Sequence, residues 1–98
     1  MWAQIIKARL KPGAEAEMQQ LMDEIEAASQ RSPFVGSTVL QNQDDPAEYY
    51  NVVLFESEEA ARSNENTPEQ QDRVRRIQAL YDGPPEFVNC NVVHETVR

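Results

Sequence analysis

Hydrophobic and polar positions change their period several times along this chain, and each change marks an element. In MWAQIIKARL, residues 1 to 10, Trp2, Gln4, Ile6, Ala8 and Leu10 fall on one side and Ala3, Ile5, Lys7 and Arg9 on the other. That period of two predicts a strand, ended by the turn residues Pro12 and Gly13. From Ala14 to about Ser29 the apolar residues Ala14, Met18, Leu21, Met22, Ile25 and Ala28 recur at intervals of three and four, the mark of a helix with one buried stripe. Pro33 breaks it and pushes Ser32 toward extended geometry. FVGSTVLQNQ then predicts a second strand, NQDDPAE supplies turn chemistry, and YYNVVLFE predicts a third strand. Val52, Val53, Leu54 and Phe55 make that third strand apolar at both parities, so both of its faces are expected to be buried.

The stretch LFESEEAARSNENTPEQ, residues 54 to 70, predicts two capped helices in succession. Ser57 can cap the first, with Glu58 and Glu59 in the turn where the positive end of the helix dipole favours carboxylates. Thr67 can cap the second, Pro68 takes the first helical position, and Gln70 stands where a capping box places its partner. This second helix is expected to reach about Tyr81, with Val74, Ile77 and Tyr81 as its apolar stripe. DGPP ends it, and EFVNCNVVHETV predicts the last strand.

The order strand, helix, strand, strand, helix pair, strand is the βαββαβ plan. It implies an α+β, ferredoxin-like fold, a four-stranded antiparallel sheet with helices on one face. No repeat or linker divides the chain, so residues 1–98 read as one domain. The other sheet face would be bare. Ile5 opposite Trp2 and Ile6, and the doubly apolar third strand, predict that a second copy covers it, giving a homodimer through the sheet faces. At 98 residues such a domain hides only roughly two thirds of the surface its unfolded chain exposes, which favours a partner subunit for any extra apolar face.

Charge narrows the partners. A formal net charge of −8, a pI near 4.5 and the absence of a dense basic block argue against nucleic acid. The single cysteine, Cys90, cannot form an intrachain disulfide, and no cysteine spacing suggests zinc, so no metal is expected. No basic segment leads into a long apolar run, and nothing approaches the roughly 20 apolar residues of a membrane span. The chain reads as soluble, cytoplasmic and unprocessed, with no membrane partner.

A few residues stand out as chemistry. His94, the only histidine, is the obvious candidate for a general base; a half-exposed edge histidine is the plainer reading. Asn51, Asn89 and Asn91 lie within apolar strands, where an amide must find partners, either a ligand oxygen or one another across strands. Trp2, Tyr49, Tyr50, Phe55, Tyr81 and Phe87 supply enough aromatic surface for a ring-binding pocket, Trp2 and Tyr81 with polar tips that a pocket mouth could satisfy; most such residues are simply core. Arg73, Arg75 and Arg76 fall at helical spacing from Glu69 and Asp72, which predicts a self-paired, solvated helix face.

YYNVVLFESEEAARSNENTPEQ, residues 49 to 70, with IIKARLKPGAEAEMQQL before it, resembles the antibiotic biosynthesis monooxygenase type of dimeric α+β barrel protein. The match is a strand ending on an aromatic residue, a capped EEA helix, a Thr-Pro helix start and a KPG turn into the first helix. The resemblance implies a cofactor-independent monooxygenase of a flat phenol or quinol, in which the substrate anion itself delivers electrons to oxygen. Such chemistry needs an apolar ring pocket, a donor for the substrate oxyanion and a group to take its proton. Asn51 or Asn64 would hold the substrate oxygen, and His94 or a tyrosine would handle the proton. Trp2, Tyr49, Phe55, Tyr81, Asn89 and Asn91 would line the ligand site. The chain departs from the family pattern where many members carry histidine, having Asn64 and, after the Thr-Pro, Glu69 and Gln70. Haem-degrading members use an Asn, Trp and His set with the His on a helix, so haem is disfavoured here. The alternative is a non-catalytic dimeric ligand-binding or assembly protein on the same fold.

Overall fold

The computed structural model describes residues 1 to 28 and 34 to 96. In chain order the elements are β1 (Trp2–Arg9), α1 (Glu15–Ala28), β2 (Phe34–Gln41), β3 (Glu48–Phe55), α2 (Glu58–Glu65), α3 (Pro68–Gln78) and β4 (Glu86–Asn91). The expected break at Ser32 and Pro33, and the expected end of α1 at Ser29, lie outside the described residues. The strands form one antiparallel sheet in the order β2-β3-β1-β4. This is the α+β ferredoxin-like plan.

Local chemistry sets the element ends. The KPG turn after β1 and the DGPP turn before β4 each put a glycine in the left-handed region, Gly13 at φ 81° and Gly83 at φ 93°, where a side chain would be strained. Ser57 Oγ accepts from the Ala60 N–H at 3.1 Å and Thr67 Oγ1 from the Gln70 N–H at 3.2 Å, each satisfying a first-turn amide. In the β2–β3 hairpin Asn42 Oδ1 accepts from the amides of Asp44 (2.8 Å) and Asp45 (3.2 Å), which turns the chain without a glycine.

Two elements end earlier than their sequence pattern implies. α3 stops at Gln78 rather than Tyr81. Leu80 N–H donates to Ile77 O and Tyr81 N–H to Gln78 O, tightening the last turn, and Tyr81 then bridges to Leu10. β4 stops at Asn91 instead of running to Val97. It pairs with β1 as far as Trp2 opposite Asn91, and a single further bond, from Val92 N–H to Met1 O, follows among the described residues.

Register decides the faces. Trp2, Gln4 and Ile6 stand opposite Phe55, Val53 and Asn51 on one side and Asn91, Asn89 and Phe87 on the other, and this is the face the helices cover. At one end of that face Trp2 packs on Phe55, ring centroids 6.1 Å apart, and on Ala61 of α2, whose small side chain lets the helix approach closely. At the other end of β1, Ala8, Leu10, Ala14 and Leu21 are buried. Backbone bonds from Leu10 to Ala47, Lys11 to Leu80 and Asp82 to Arg9 bind the end of β1 to the hairpin and to the end of α3. α1 and α3 are joined by the Glu24–Arg76 ion pair.

Among the described residues no helix covers the opposite face. It presents Ile5, Leu40, Val52, Leu54 and Val88, with Leu40 48% and Val88 53% exposed on the two edge strands. Its far end is charged: Lys7 pairs with Glu48 at 3.1 Å and with Glu86 at 4.0 Å, and Arg9 pairs with Asp45. The hydrogen bond from Lys7 holds the Glu48 carboxyl below its ordinary value, and Arg9 does the same for Asp45. Among the described residues no helix is long and apolar enough to cross a membrane.

The caps carry a direct test. Thr67→Ala or Ser57→Ala removes one amide acceptor and is expected to cost about 1 kcal/mol. For a domain of this size that is a fall of about 4–8 °C in thermal midpoint, read by circular dichroism.

Candidate functional site

α3 was expected to bury Val74, Ile77 and Tyr81 against the sheet, yet no residue of α3 is buried. The stripe faces an open cavity of about 1040 Å³ between the sheet and the helices. Ile6, Asn51, Val53, Phe55 and Phe87 form its floor, Met22 and Ile25 of α1 one wall, and α3 with Tyr81 the other. Core packing at the two ends of β1 holds the helices in place and leaves the middle of the sheet uncovered. A space of this size and apolar lining suits a drug-sized organic ligand.

A few polar groups converge on it. Asn51, in the middle of β3, has a side-chain Oδ1 out of contact with solvent and without a hydrogen-bond partner. Asn64 enters from the end of α2, where its backbone carbonyl accepts from Thr67 N–H (3.4 Å) and Thr67 Oγ1 (3.2 Å), so the cap of α3 also fixes this asparagine. Tyr81 lies half-buried at the end reached by the Leu10 bridge, and burial pushes its phenol above the ordinary tyrosine value. At neutral pH it is therefore an O–H donor and not a base. Arg73 lines the α3 wall; its Nε is buried without a partner, and its Nη1 donates to Gln70 Oε1 at 3.3 Å. Asp23, Glu26 and Glu65 also border the cavity, all exposed. Among the described residues no group of three or more His, Cys, Asp or Glu side chains could hold a metal ion.

Of the residues singled out in the sequence, the structure brings Asn51, Asn64, Phe55, Tyr81 and Phe87 together around this cavity. It sets the others apart. Trp2 is 7% exposed and belongs to the core with Phe55 and Ala61, closing the end of the space instead of lining it. Tyr49 lies beyond the cavity on the same sheet face, its hydroxyl accepting from Gln41 Nε2 at 3.1 Å. Asn89 and Asn91 share the helix-side parity but stand exposed on the edge strand; Asn89 Oδ1 accepts from Gln4 Nε2 at 3.1 Å, the cross-strand pairing that was one of its two readings. His94 lies past the end of β4, exposed, with Nε2 3.0 Å from Thr96 Oγ1 and outside the cavity.

Two polar residues escaped the sequence reading. Gln4 alternates with Trp2 and Ile6 on the buried parity, a polar residue on an apolar face. Arg73 shares one helix face with Gln70, Val74, Ile77 and Tyr81, separated by intervals of one, three and four. The expected Glu69–Arg73 pairing drew it to the solvent face, and no such ion pair forms. Arg75 and Arg76 do pair with Asp72, each at 3.6 Å.

Fold and cavity together define a small α+β protein with an open, largely apolar space between its sheet and its helices. The family model described as antibiotic biosynthesis monooxygenase matches residues 1–76, and the chain belongs to that family. Its fold is similar to that of SnoaB, a cofactor-independent oxygenase from Streptomyces nogalater, solved as an asparagine-to-alanine variant. The TM-score is 0.83 at 20% identity, over 96% of this chain and 94% of that one. It is also similar to Rv0793 from Mycobacterium tuberculosis (TM-score 0.81, 14% identity, 98% of each chain). A third similar structure is that of an antibiotic biosynthesis monooxygenase (TM-score 0.79, 20% identity, 96% of this chain and 100% of that one). No curated protein matches the sequence.

The Tyr81 environment has a pH signature. Its folded pKa is raised, so above about pH 10 the unfolded chain gives up this proton before the folded one does, and stability falls as pH rises. Denaturant melts between pH 8 and 11 are expected to show a steeper alkaline loss for the wild type than for Tyr81→Phe. Equal slopes would contradict the burial of the phenol.

Proposed function

We propose that this protein binds a flat, mostly apolar phenol or quinol between sheet and helices and oxidises it with molecular oxygen, without a cofactor. The observation that carries the reading is the open, apolar cavity with Asn51, Asn64 and Tyr81 converging on it. Family membership points the same way, as does the likeness to SnoaB, described as a cofactor-independent oxygenase.

Little chemistry is asked of the protein. An anthrone illustrates the balance. Its ring-activated CH2 loses a proton to water at the open mouth, and the anion passes one electron to O2. The resulting radical and superoxide join in a C–O bond, and the peroxide loses water. The CH2 carbon ends as a carbonyl holding one oxygen atom; the other leaves as water. The protein's part is to stabilise the anion. Tyr81, kept as a neutral phenol, donates to the substrate oxygen where the charge resides, and the side-chain amides of Asn51 and Asn64, which line the same space, are its further donors. The apolar walls keep the ring out of water. His94, outside the cavity, has no part in this scheme.

That placement of the chain's single histidine favours a second reading, a protein that binds such a ring without transforming it. An oxygen electrode with a panel of quinols and anthrones, run beside thermal-shift titrations, separates the two. Uptake above the uncatalysed rate that falls at least tenfold in Asn51→Ala or Tyr81→Phe supports the oxygenase, since one oxyanion donor is commonly worth that much or more. Thermal shifts without uptake support the binder, and neither response rejects both.

The helix-free sheet face is read as the site of a second copy, which would cover Ile5, Leu40, Val52, Leu54 and Val88. Sedimentation at micromolar concentration is expected to give the mass of two chains. Leu40→Asp with Val88→Asp, at positions exposed in the single chain, is expected to shift it to one. A wild-type mass of one chain would overturn the dimer.

A further inference from the structure

The cavity is longer than a flat ring needs. Its floor takes side chains from all four strands: Val39 of β2, Val53 of β3, Ile6 of β1 and Phe87 of β4. Four strands at their usual spacing cover about 14 Å. The volume of about 1040 Å³ stands at the upper end for small-ligand pockets, roughly 300–1,000 Å³. Val39 on one edge strand is 46% exposed and Phe87 on the other 53%, although both line the cavity and stand on the helix side of the sheet. The space is a passage that crosses the sheet beneath the helices and opens at both edges.

The two halves of the passage differ in chemistry. On the β4 side the lining is aromatic: Phe87 stands opposite Ile6, and the bridge to Leu10 at the end of β1 brings Tyr81 to the same side. Phe55 also lines the space, but its ring is taken up by packing on Trp2. On the β2 side the lining is aliphatic. Val39 and Val53 form the floor there, and Met22 and Ile25 form the wall, on the helix that carries the chain from β1 to β2. Asp23 and Glu26 of that helix stand exposed at the rim, in water. A flat ring gains most beside other rings, stacked or edge-on. A flexible thioether among branched aliphatic side chains makes a conformable apolar wall, which suits an unbranched hydrocarbon whose methylenes each gain by leaving water.

We propose that the ligand is a phenolic ring carrying a long aliphatic chain, the ring beside Tyr81 and Phe87 and the chain laid across Val53 and Val39, along Met22 and Ile25, toward the β2 edge. This rests on the ring-pocket reading and adds the substituent that the other half of the passage accepts. Ser37 and Val39, at the β2 end, set how much of the chain is held.

Fluorescence titration with 6-alkyl-2-naphthols bearing methyl, butyl, hexyl and octyl chains tests this, because ring and hydroxyl stay constant along the series. Wild-type affinity is expected to rise about two- to fourfold for each added methylene, and to level off once the chain reaches water at the β2 edge. Val39→Asp, at an edge position with room for the change, is expected to remove most of the gain of the octyl compound and leave the methyl compound unchanged. Ser37→Trp, which fills the same end, is expected to act alike and provides the readout if Val39→Asp does not fold. Val93→Asp, at an apolar residue 94% exposed and outside the cavity, is expected to change neither. A wild-type gain below twofold from methyl to octyl, or a full octyl gain kept in both Val39→Asp and Ser37→Trp, overturns the inference while leaving the ring pocket in place. Binding of none of the four compounds overturns the ring pocket, and this inference with it.

Discussion

The placement of β1 between β3 and β4 in a single register is the constraint on which the rest of the molecule depends. It sets Trp2 opposite Phe55 and Asn91, and Ile6 opposite Asn51 and Phe87. Because side chains alternate across a strand, a slip of one residue would send Trp2, Gln4 and Ile6 to the helix-free face and bring Ile5 and Lys7 beneath the helices. The core, the cavity floor and the bare apolar face are three consequences of that one pairing. The bond from Val92 to Met1 marks where it ends, and with it the sheet.

Packing at the two ends of β1 turns that register into a site. Trp2, Phe55 and Ala61 close one end, and the backbone bonds joining Leu10 and Lys11 to Ala47 and Leu80 fix the other. Between them α1 and α3 are held to each other by Glu24 and Arg76 and not pressed onto the sheet. The apolar stripe of α3 therefore lines a space. A small domain with so much half-buried apolar surface gives up folding stability that a filled core would supply, and a bound ring or a second copy would recover part of it.

Several polar groups border the otherwise apolar cavity. Burial raises the Tyr81 phenol above its ordinary value, and among the described residues Asn51 Oδ1 and Arg73 Nε have no hydrogen-bond partner, while Arg73 Nη1 donates to Gln70. Preorganised groups of this kind act on a substrate anion without having to reorient, and they act more strongly in a space shielded from water. The ordinary ion pairs of Arg62, Arg75 and Arg76 lie on exposed helix faces and have no such role.

The order of elements, both N-caps, the glycine turns and the family resemblance could be read from the chain alone, because each rests on neighbours within about seven residues: Ser57 and Thr67 cap with their own side chains, and Gly13 and Gly83 turn with their own backbones. Asn51 could be singled out as well, since an amide amid Val52, Val53 and Leu54 is conspicuous on any face. Tertiary structure alone decided which parity met the helices, and so moved Trp2 into the core and Asn89 and Asn91 to an exposed edge. It also placed His94 beyond the last paired residue and turned Arg73 from an expected partner of Glu69 into a cavity wall. Each of those outcomes depends on which distant strand or helix stands opposite a residue, and helical or strand periodicity carries no information about what lies across the gap.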